Sequence, residues 1–216
     1  MIIYGGTLSP FVRKTVVFAI EKGVDFELVP AFGDMVPDGF REASPFGKIP
    51  ALRDGDFTLA DSTAVVTYID TLNPEPNLIP TEAKARAKTV WFEEFADTIA
   101  FSCGGKVFFN RIVAPHILKR PGDAAVADEA ERVEFPRLAD YLESVAPAAG
   151  YLVEDRFTLA DIAVATQFVS MRYGGCGLNP TTHPKAYGYV ESILARPSFA
   201  TLLEKERRTL AKLGAA

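Results

Sequence analysis

The sequence predicts an α/β segment followed by an all-helical segment. Three observations carry that expectation. Short apolar runs of strand character fall in the first sixty residues, interleaved with helical spacings. A stretch with three prolines in eight residues, Asn73 to Pro80, then reads as a stiff, extended connector. Beyond it apolar residues recur at helical spacing and no strand pattern is convincing.

Taken in order, Ile2 to Tyr4 reads as a strand. Phe11 to about Glu21 reads as a helix, with Ser9 suited to the N-cap, Pro10 to the first turn and Gly23 to the stop. Phe26 to Val29 alternates with period two, a second strand. A helix between two strands implies a parallel pair joined by a right-handed crossover. Ala31 to Ser44 is looser, with a short helix expected near Gly39 to Ala43. Pro50 to Arg53 and Asp56 to Leu59 flank Asp54-Gly55 and read as a hairpin. Ala64, Val65, Tyr68, Ile69 and Leu72 repeat at helical spacing over Ser62 to Leu72.

After the connector, a long helical run starts at Thr81 or Glu82, with Trp91, Phe92, Phe95 and Ile99 expected on one face. Pro115, Pro121 and Gly122 are expected to break the chain. Asp123 to Val145 reads as a helix kinked at Pro136. Thr158 and Asp161 form a capping-box variant ahead of another helix. Gly174 to Pro180 reads as a loop, and Pro184 to Ala195 and Pro197 to Leu213 as the last two helices. The expected domains are residues 1–73 and 82–216, with 74–81 as linker.

Bulk properties exclude several classes. The net charge of −5 comes without a basic run, which argues against nucleic acid and against an anionic membrane surface. No apolar run approaches the roughly 20 residues of a membrane helix, and no secretory signal is read at the start. Cys103 and Cys176 are far apart and His116 and His183 stand alone, so no metal site is expected. Two free thiols fit a reducing, cytoplasmic setting.

Five motifs, in order, carry a family resemblance: Ser9-Pro10-Phe11-Val12-Arg13-Lys14, Ser44 to Leu52, Leu59-Ala60-Asp61-Ser62, Phe157 to Ala163, and Ala195-Arg196-Pro197-Ser198-Phe199. Together they resemble a cytosolic glutathione S-transferase of the serine type. The resemblance implies a thioredoxin-like domain, a mixed four-stranded sheet with helices, followed by an all-α domain. It implies glutathione as co-substrate, a small hydrophobic electrophile as second substrate, and a homodimer. A non-catalytic glutathione-binding or interaction protein on the same scaffold is the alternative.

The resemblance also implies roles. Ile49-Pro50 would be a cis peptide whose backbone pairs, strand-like, with the cysteinyl unit of glutathione. Asp61 would accept from the γ-glutamyl ammonium, and Ser62 would donate to its carboxylate. Lys48 would reach the glycyl carboxylate. Ser9 would donate its hydroxyl to the sulfur, with Thr7 and Tyr4 as rivals. A free thiol near pKa ~8.5 is only about 3% ionised at pH 7. Lowering it to about 6.5 takes roughly 2.7 kcal/mol. A hydroxyl donor and a helix N-terminus together supply about that much. Serine in place of cysteine at position 9, and the lack of a Cys-x-x-Cys pair, disfavour a thiol-disulfide oxidoreductase.

For the second substrate, the candidates are Phe11, Phe101, Cys103, Phe108 and Tyr173, within a wider aromatic set that includes Trp91, Phe92, Phe95 and Phe109. Gly104-Gly105 is expected to weaken the helix and admit a ligand or partner backbone. The Gly174-Gly175-Cys176-Gly177 loop is a second place to look, with Cys176 either reactive or inert. Phe46 either inserts into a partner subunit or packs under the hairpin.

Overall fold

A computed structural model of the chain describes residues 1–33 and 35–215. Asp34, in the loop expected after the second strand, and Ala216, at the end of the expected second domain, lie outside the described residues. The chain divides into two compact units, Met1–Ile79 and Pro80–Ala216.

Among the described residues, the first unit is a four-stranded sheet with three helices. Strands β1 (Ile2–Tyr4), β2 (Glu27–Val29), β3 (Ala51–Asp54) and β4 (Phe57–Ala60) lie in the order β2-β1-β3-β4. β1 and β2 are parallel, joined through α1 (Pro10–Glu21); β3 runs antiparallel to both β1 and β4. α2 (Phe40–Ala43) and α3 (Ser62–Leu72) complete the unit. Alternation decides which side chains meet the core: Ile3 and Leu52, paired across β1 and β3, are fully buried.

The hairpin differs from the sequence expectation by one residue. Asp54 pairs with Phe57, so the loop is Gly55-Asp56 rather than Asp54-Gly55. Gly55 takes φ +58°, and two-residue hairpin loops with glycine first match the twist of the strands.

Lys22, buried at the C-cap of α1, ties this unit to its connector. Its ammonium donates to the Pro74 carbonyl at 3.1 Å and the Pro76 carbonyl at 2.6 Å, and pairs with Asp70 at 2.5 Å.

The second unit is helical: α4 (Ala83–Glu94), α5 (Phe101–Phe108), α6 (Ala124–Glu129), α7 (Phe135–Val145), α8 (Leu159–Tyr173), α9 (Pro184–Leu194) and α10 (Pro197–Leu213). Wide, π-helical turns at Phe95–Ala100, Phe109–Ile117 and Ala130–Glu134 join α4 to α5, extend α5, and join α6 to α7. They correct three expectations. Pro115 does not break the chain but sits inside the second wide turn, where its missing N–H fits the altered ladder. The wide turn at Ala130–Glu134 precedes Pro136, which therefore falls in the first turn of α7, where its missing N–H costs least, rather than in a helix interior. The turn at Phe95–Ala100 shifts the helix face, so Ala96 and Ala100 are buried while Ile99 is 48% exposed. Trp91 also leaves the expected face; it is exposed and its indole N–H donates to the Tyr141 hydroxyl at 2.9 Å.

α8 is the centre of this unit, buried from Leu159 to Met171. Asp161 anchors its start. One carboxylate oxygen accepts from the Thr158 amide at 2.8 Å, the other from the Leu152 amide at 3.0 Å and the Tyr189 hydroxyl at 2.8 Å. Glycines set the approach of α5: a Cβ at Gly104 would lie 3.0 Å from Met171 Cε, and one at Gly174 would lie 2.5 Å from Val107 Cγ1. Gly104 and Gly105 therefore lie in a continuous helix. Gly104 serves helix packing, against the expectation that the pair would open the backbone to a ligand.

Candidate functional site

The sheet register assembles one edge of the first unit. Tyr4 pairs with Ala51, and Ala51 with Ala60. The end of β1, the start of β3 and the end of β4 therefore lie side by side. Gly5, Pro50 and Asp61, the next residues along each strand, sit at neighbouring ends, with adjacent strands about 4.8 Å apart. The loop after β1 passes close: a Cβ on Gly5, at φ +145°, would lie 2.5 Å from Val12 Cγ2 and 3.4 Å from Ile49 Cβ. α1 and α3 both start at this edge, and Lys14 Nζ reaches Thr63 Oγ1 at 3.4 Å.

Ser9 is the N-cap residue of α1, with φ −70° and ψ 126°, and its side chain makes no capping hydrogen bond. The helix is started by backbone alone: the Arg13 amide donates to the Ser9 carbonyl at 2.9 Å. Ser9 and Thr7 are both half-buried at this turn. Tyr4 is placed otherwise. Its ring is buried against Phe40 and its hydroxyl donates to the Asp38 carbonyl at 3.3 Å, so its polar tip is engaged inside the unit.

The Ile49-Pro50 bond is cis. Ser44 Oγ donates to the Lys48 carbonyl at 2.7 Å and fixes the turn before it. Lys48 is exposed, following Gly47 at φ +68°. Sequence reasoning missed a second cation here: Arg41 Nη1 lies 3.1 Å from where a Gly47 Cβ would be. Its signal was an arginine in the short helix α2, four residues before a lysine-bearing turn.

Asp61 is exposed at φ +84°, and its Oδ1 accepts from the Thr63 amide at 2.9 Å and the Ala64 amide at 3.2 Å. The Val65 amide donates to the Asp61 carbonyl at 3.0 Å. Of the first-turn amides of α3, that of Ser62 is left for an outside acceptor. Ser62 itself is buried.

Comparison with known proteins decides the family. Residues 3–77 match the glutathione S-transferase N-terminal domain, and residues 103–197 the C-terminal domain. A glutathione S-transferase from Hyoscyamus muticus is 32% identical over 213 residues, 94% of this chain and 98% of its own. The chain belongs to the glutathione S-transferase family. Glutathione S-transferase 3 of Zea mays is 34% identical, covering 91% of this chain and 90% of its own. Among solved structures, a glutathione S-transferase from Rhodospirillum rubrum F11 superposes with a TM-score of 0.84 at 25% identity. That match covers 94% of this chain and 91% of the other. The fold of glutathione S-transferases, thioredoxin-like then helical, is the fold of this chain.

Within this glutathione S-transferase scaffold the helical candidates separate by burial. Phe101 is exposed, and Tyr173 is half-buried with its hydroxyl 3.0 Å from Glu206 Oε2. Phe11 is half-buried on α1. Cys103 and Phe108 are buried. Cys103 Sγ sits 3.6 Å from the Ala130 carbonyl, inside the helical core. Burial pushes the Cys103 thiol up to about 11. Cys176 is buried as well, and burial pushes it to about 12; of the two readings left open, it is the inert one. Phe46 does not pack under the hairpin: it is 91% exposed. Among the described residues, no helix is long and apolar enough to cross a membrane.

Proposed function

We propose that this chain conjugates glutathione to small hydrophobic electrophiles, with glutathione held along the edge where β1, β3 and β4 end. The observation that carries the proposal is the unspent Ser9 hydroxyl at the start of α1, on the same edge as the cis Ile49-Pro50 bond and the start of α3. The backbone of Ile49 pairs with the cysteinyl unit. Asp61 takes the γ-glutamyl ammonium while its Oδ1 caps α3, and the Ser62 amide takes the γ-glutamyl carboxylate. Lys48 and Arg41 offer positive charge to the glycyl carboxylate.

That placement brings the sulfur to Ser9. Its hydroxyl donates to the thiolate, and the first amides of α1 add their partial positive charge. The thiol proton goes to solvent. The thiolate then forms a carbon–sulfur bond to the electrophile, and the leaving group departs with the bonding electron pair. Ser9 stays a donor throughout and makes no covalent intermediate. The engagement of Tyr4 with Asp38 leaves Ser9 and Thr7 as the hydroxyls at this turn.

Homodimerisation belongs to the same proposal, supported by Phe46, an aromatic ring 91% exposed beside the glutathione edge. A cytoplasmic setting suits two cysteines that are both free thiols.

The test is the pH dependence of thiolate absorbance for bound glutathione in the parent and in Ser9→Ala, beside turnover of an activated aryl halide. A thiolate pKa below that of free glutathione in the parent, rising in the variant, supports the reading. Equal values in both would remove Ser9 from it.

A further inference from the structure

The short helix α2 carries two neighbouring side chains of opposite charge, and the structure treats them differently. Phe40 and Ala43, three residues apart, are buried in a small core with Tyr4, Ala31 and Ala51. Arg41 and Glu42, between them, are exposed. Arg41 lies over the turn before the cis Ile49-Pro50 bond, its Nη1 3.1 Å from where a Gly47 Cβ would be. Glu42 is taken by Arg53 of β3. Arg53 Nη2 donates to Glu42 Oε2 and, at 3.3 Å, to the Gly39 carbonyl at the start of α2.

The two members of this pair are not held alike. The Arg53 side chain is 28% exposed and fits closely under α2: a Cβ on Gly39, at φ +78°, would lie 2.7 Å from its Nη2. The Glu42 side chain is 72% exposed, so Arg53 is the anchored partner and Glu42 the one that turns when the pair is broken. The cations nearest to it in the chain are Arg41 and Lys48, and among the described residues neither is paired with a carboxylate. A released Glu42 is therefore a competitor, built into the chain, for the charge that a ligand carboxylate needs.

We propose that Arg53 determines specificity for the glycyl end of glutathione, acting through Glu42. By holding the Glu42 carboxylate it keeps that anion off Arg41 and Lys48 and leaves both cations to the glycyl carboxylate. The inference rests on the reading that glutathione lies along this edge. Arg53 is a positioning residue: it changes how tightly the thiol co-substrate is held, and leaves the bond-forming step alone.

The test is turnover of an activated aryl halide by the full chain with two co-substrates, glutathione and its glycyl ethyl ester, which lacks the charge at that end. The parent is expected to favour glutathione in kcat/KM by about tenfold. Arg53→Met should raise KM for glutathione about three- to fivefold with kcat unchanged, and change the ester less than twofold. Arg53→Gln repeats the comparison should the methionine variant fail to fold. The decisive variant is the double one, Arg53→Met with Glu42→Gln. It removes the competing anion as well, so its preference for glutathione should return to within twofold of the parent. A merely structural role for Arg53 predicts no such rescue. Equal losses with both thiols in Arg53→Met, or no recovery in the double variant, would overturn the inference. A parent that uses both thiols equally would overturn it alone, whereas a parent that uses neither would overturn the conjugation reading and this inference with it.

Discussion

Asp61 turns its Oδ1 oxygen onto the amide of Thr63 at 2.9 Å while its own backbone stands at φ +84°. A non-glycine residue in that region costs of the order of 1–3 kcal/mol, and it persists where its surroundings hold it. Two amides on one oxygen supply that hold, at a residue that is itself exposed. Asp61→Asn keeps an oxygen for the cap and removes the charge. It is expected to raise KM for glutathione by about tenfold with little change in thermal stability. Asp61→Ala loses both, and should in addition lower stability by about 1 kcal/mol in a urea titration.

Ser9→Ala is expected to leave stability within about 0.5 kcal/mol of the parent, because the hydroxyl makes no capping bond. Its effect on turnover should depend on pH. A missing donor raises the thiolate pKa, so kcat/KM falls most, about ten- to a hundredfold, near pH 6.5 and recovers as pH rises. A pH-independent loss would point to misplaced substrate instead.

Lys22→Met should destabilise the first unit. The ammonium serves two carbonyls and the Asp70 carboxylate from a buried position. Its removal leaves those acceptors short of a donor, a loss of about 2–4 kcal/mol. Urea denaturation followed by circular dichroism measures it; a change under about 1 kcal/mol would mean that water replaces the ammonium.

Asp161→Asn puts amide hydrogens where donors already point, and about 2–4 kcal/mol of stability should be lost. The pH dependence has a defined sign. Burial pushes the Asp161 carboxyl above the usual carboxylate range, against the lowering pull of its donors. A carboxyl raised on folding binds its proton more tightly in the native chain. It therefore favours the fold on the acid side of its native titration, and that contribution fades as pH rises through it. The deficit of Asp161→Asn relative to the parent should narrow as pH rises above the ordinary carboxylate range; a widening gap would contradict the assignment.

Gly174→Ala tests the approach of α5 to α8. The new methyl would meet Val107 Cγ1 at 2.5 Å, which forces the helix end or the valine to move. A loss of about 1–3 kcal/mol is expected in the same urea titration.

The sequence carried the fold class because its signals were local. Ser9-Pro10 and Gly23 bracket α1, period-two apolar runs mark β1 and β2, and the proline run Asn73 to Pro80 falls where the two units part. What stayed hidden depended on register and contact. A π-helical turn adds a residue to the helix without any local marker, so Ile99 could not be placed on its true face. Gly104 looked like a weak point in a helix because the methionine that needs its space, Met171, is 67 positions away in the chain. The motif residues of the candidate site could be picked out, but the state of each hydroxyl could not. Whether Ser9 capped its helix, and whether Tyr4 was engaged, are questions of a single hydrogen bond each.

Both cysteines lie in the helical core, with thiols held at about 11 and about 12. At neutral pH fewer than about one in a thousand of such groups is ionised. A protein that handles electrophiles is exposed to the reagents it consumes, and its own sulfur would be their first target. Here the chain carries no accessible nucleophilic thiol among its described residues and borrows one from its co-substrate. Alkylation at Cys103 or Cys176 should therefore be slow for as long as the helical core stays folded.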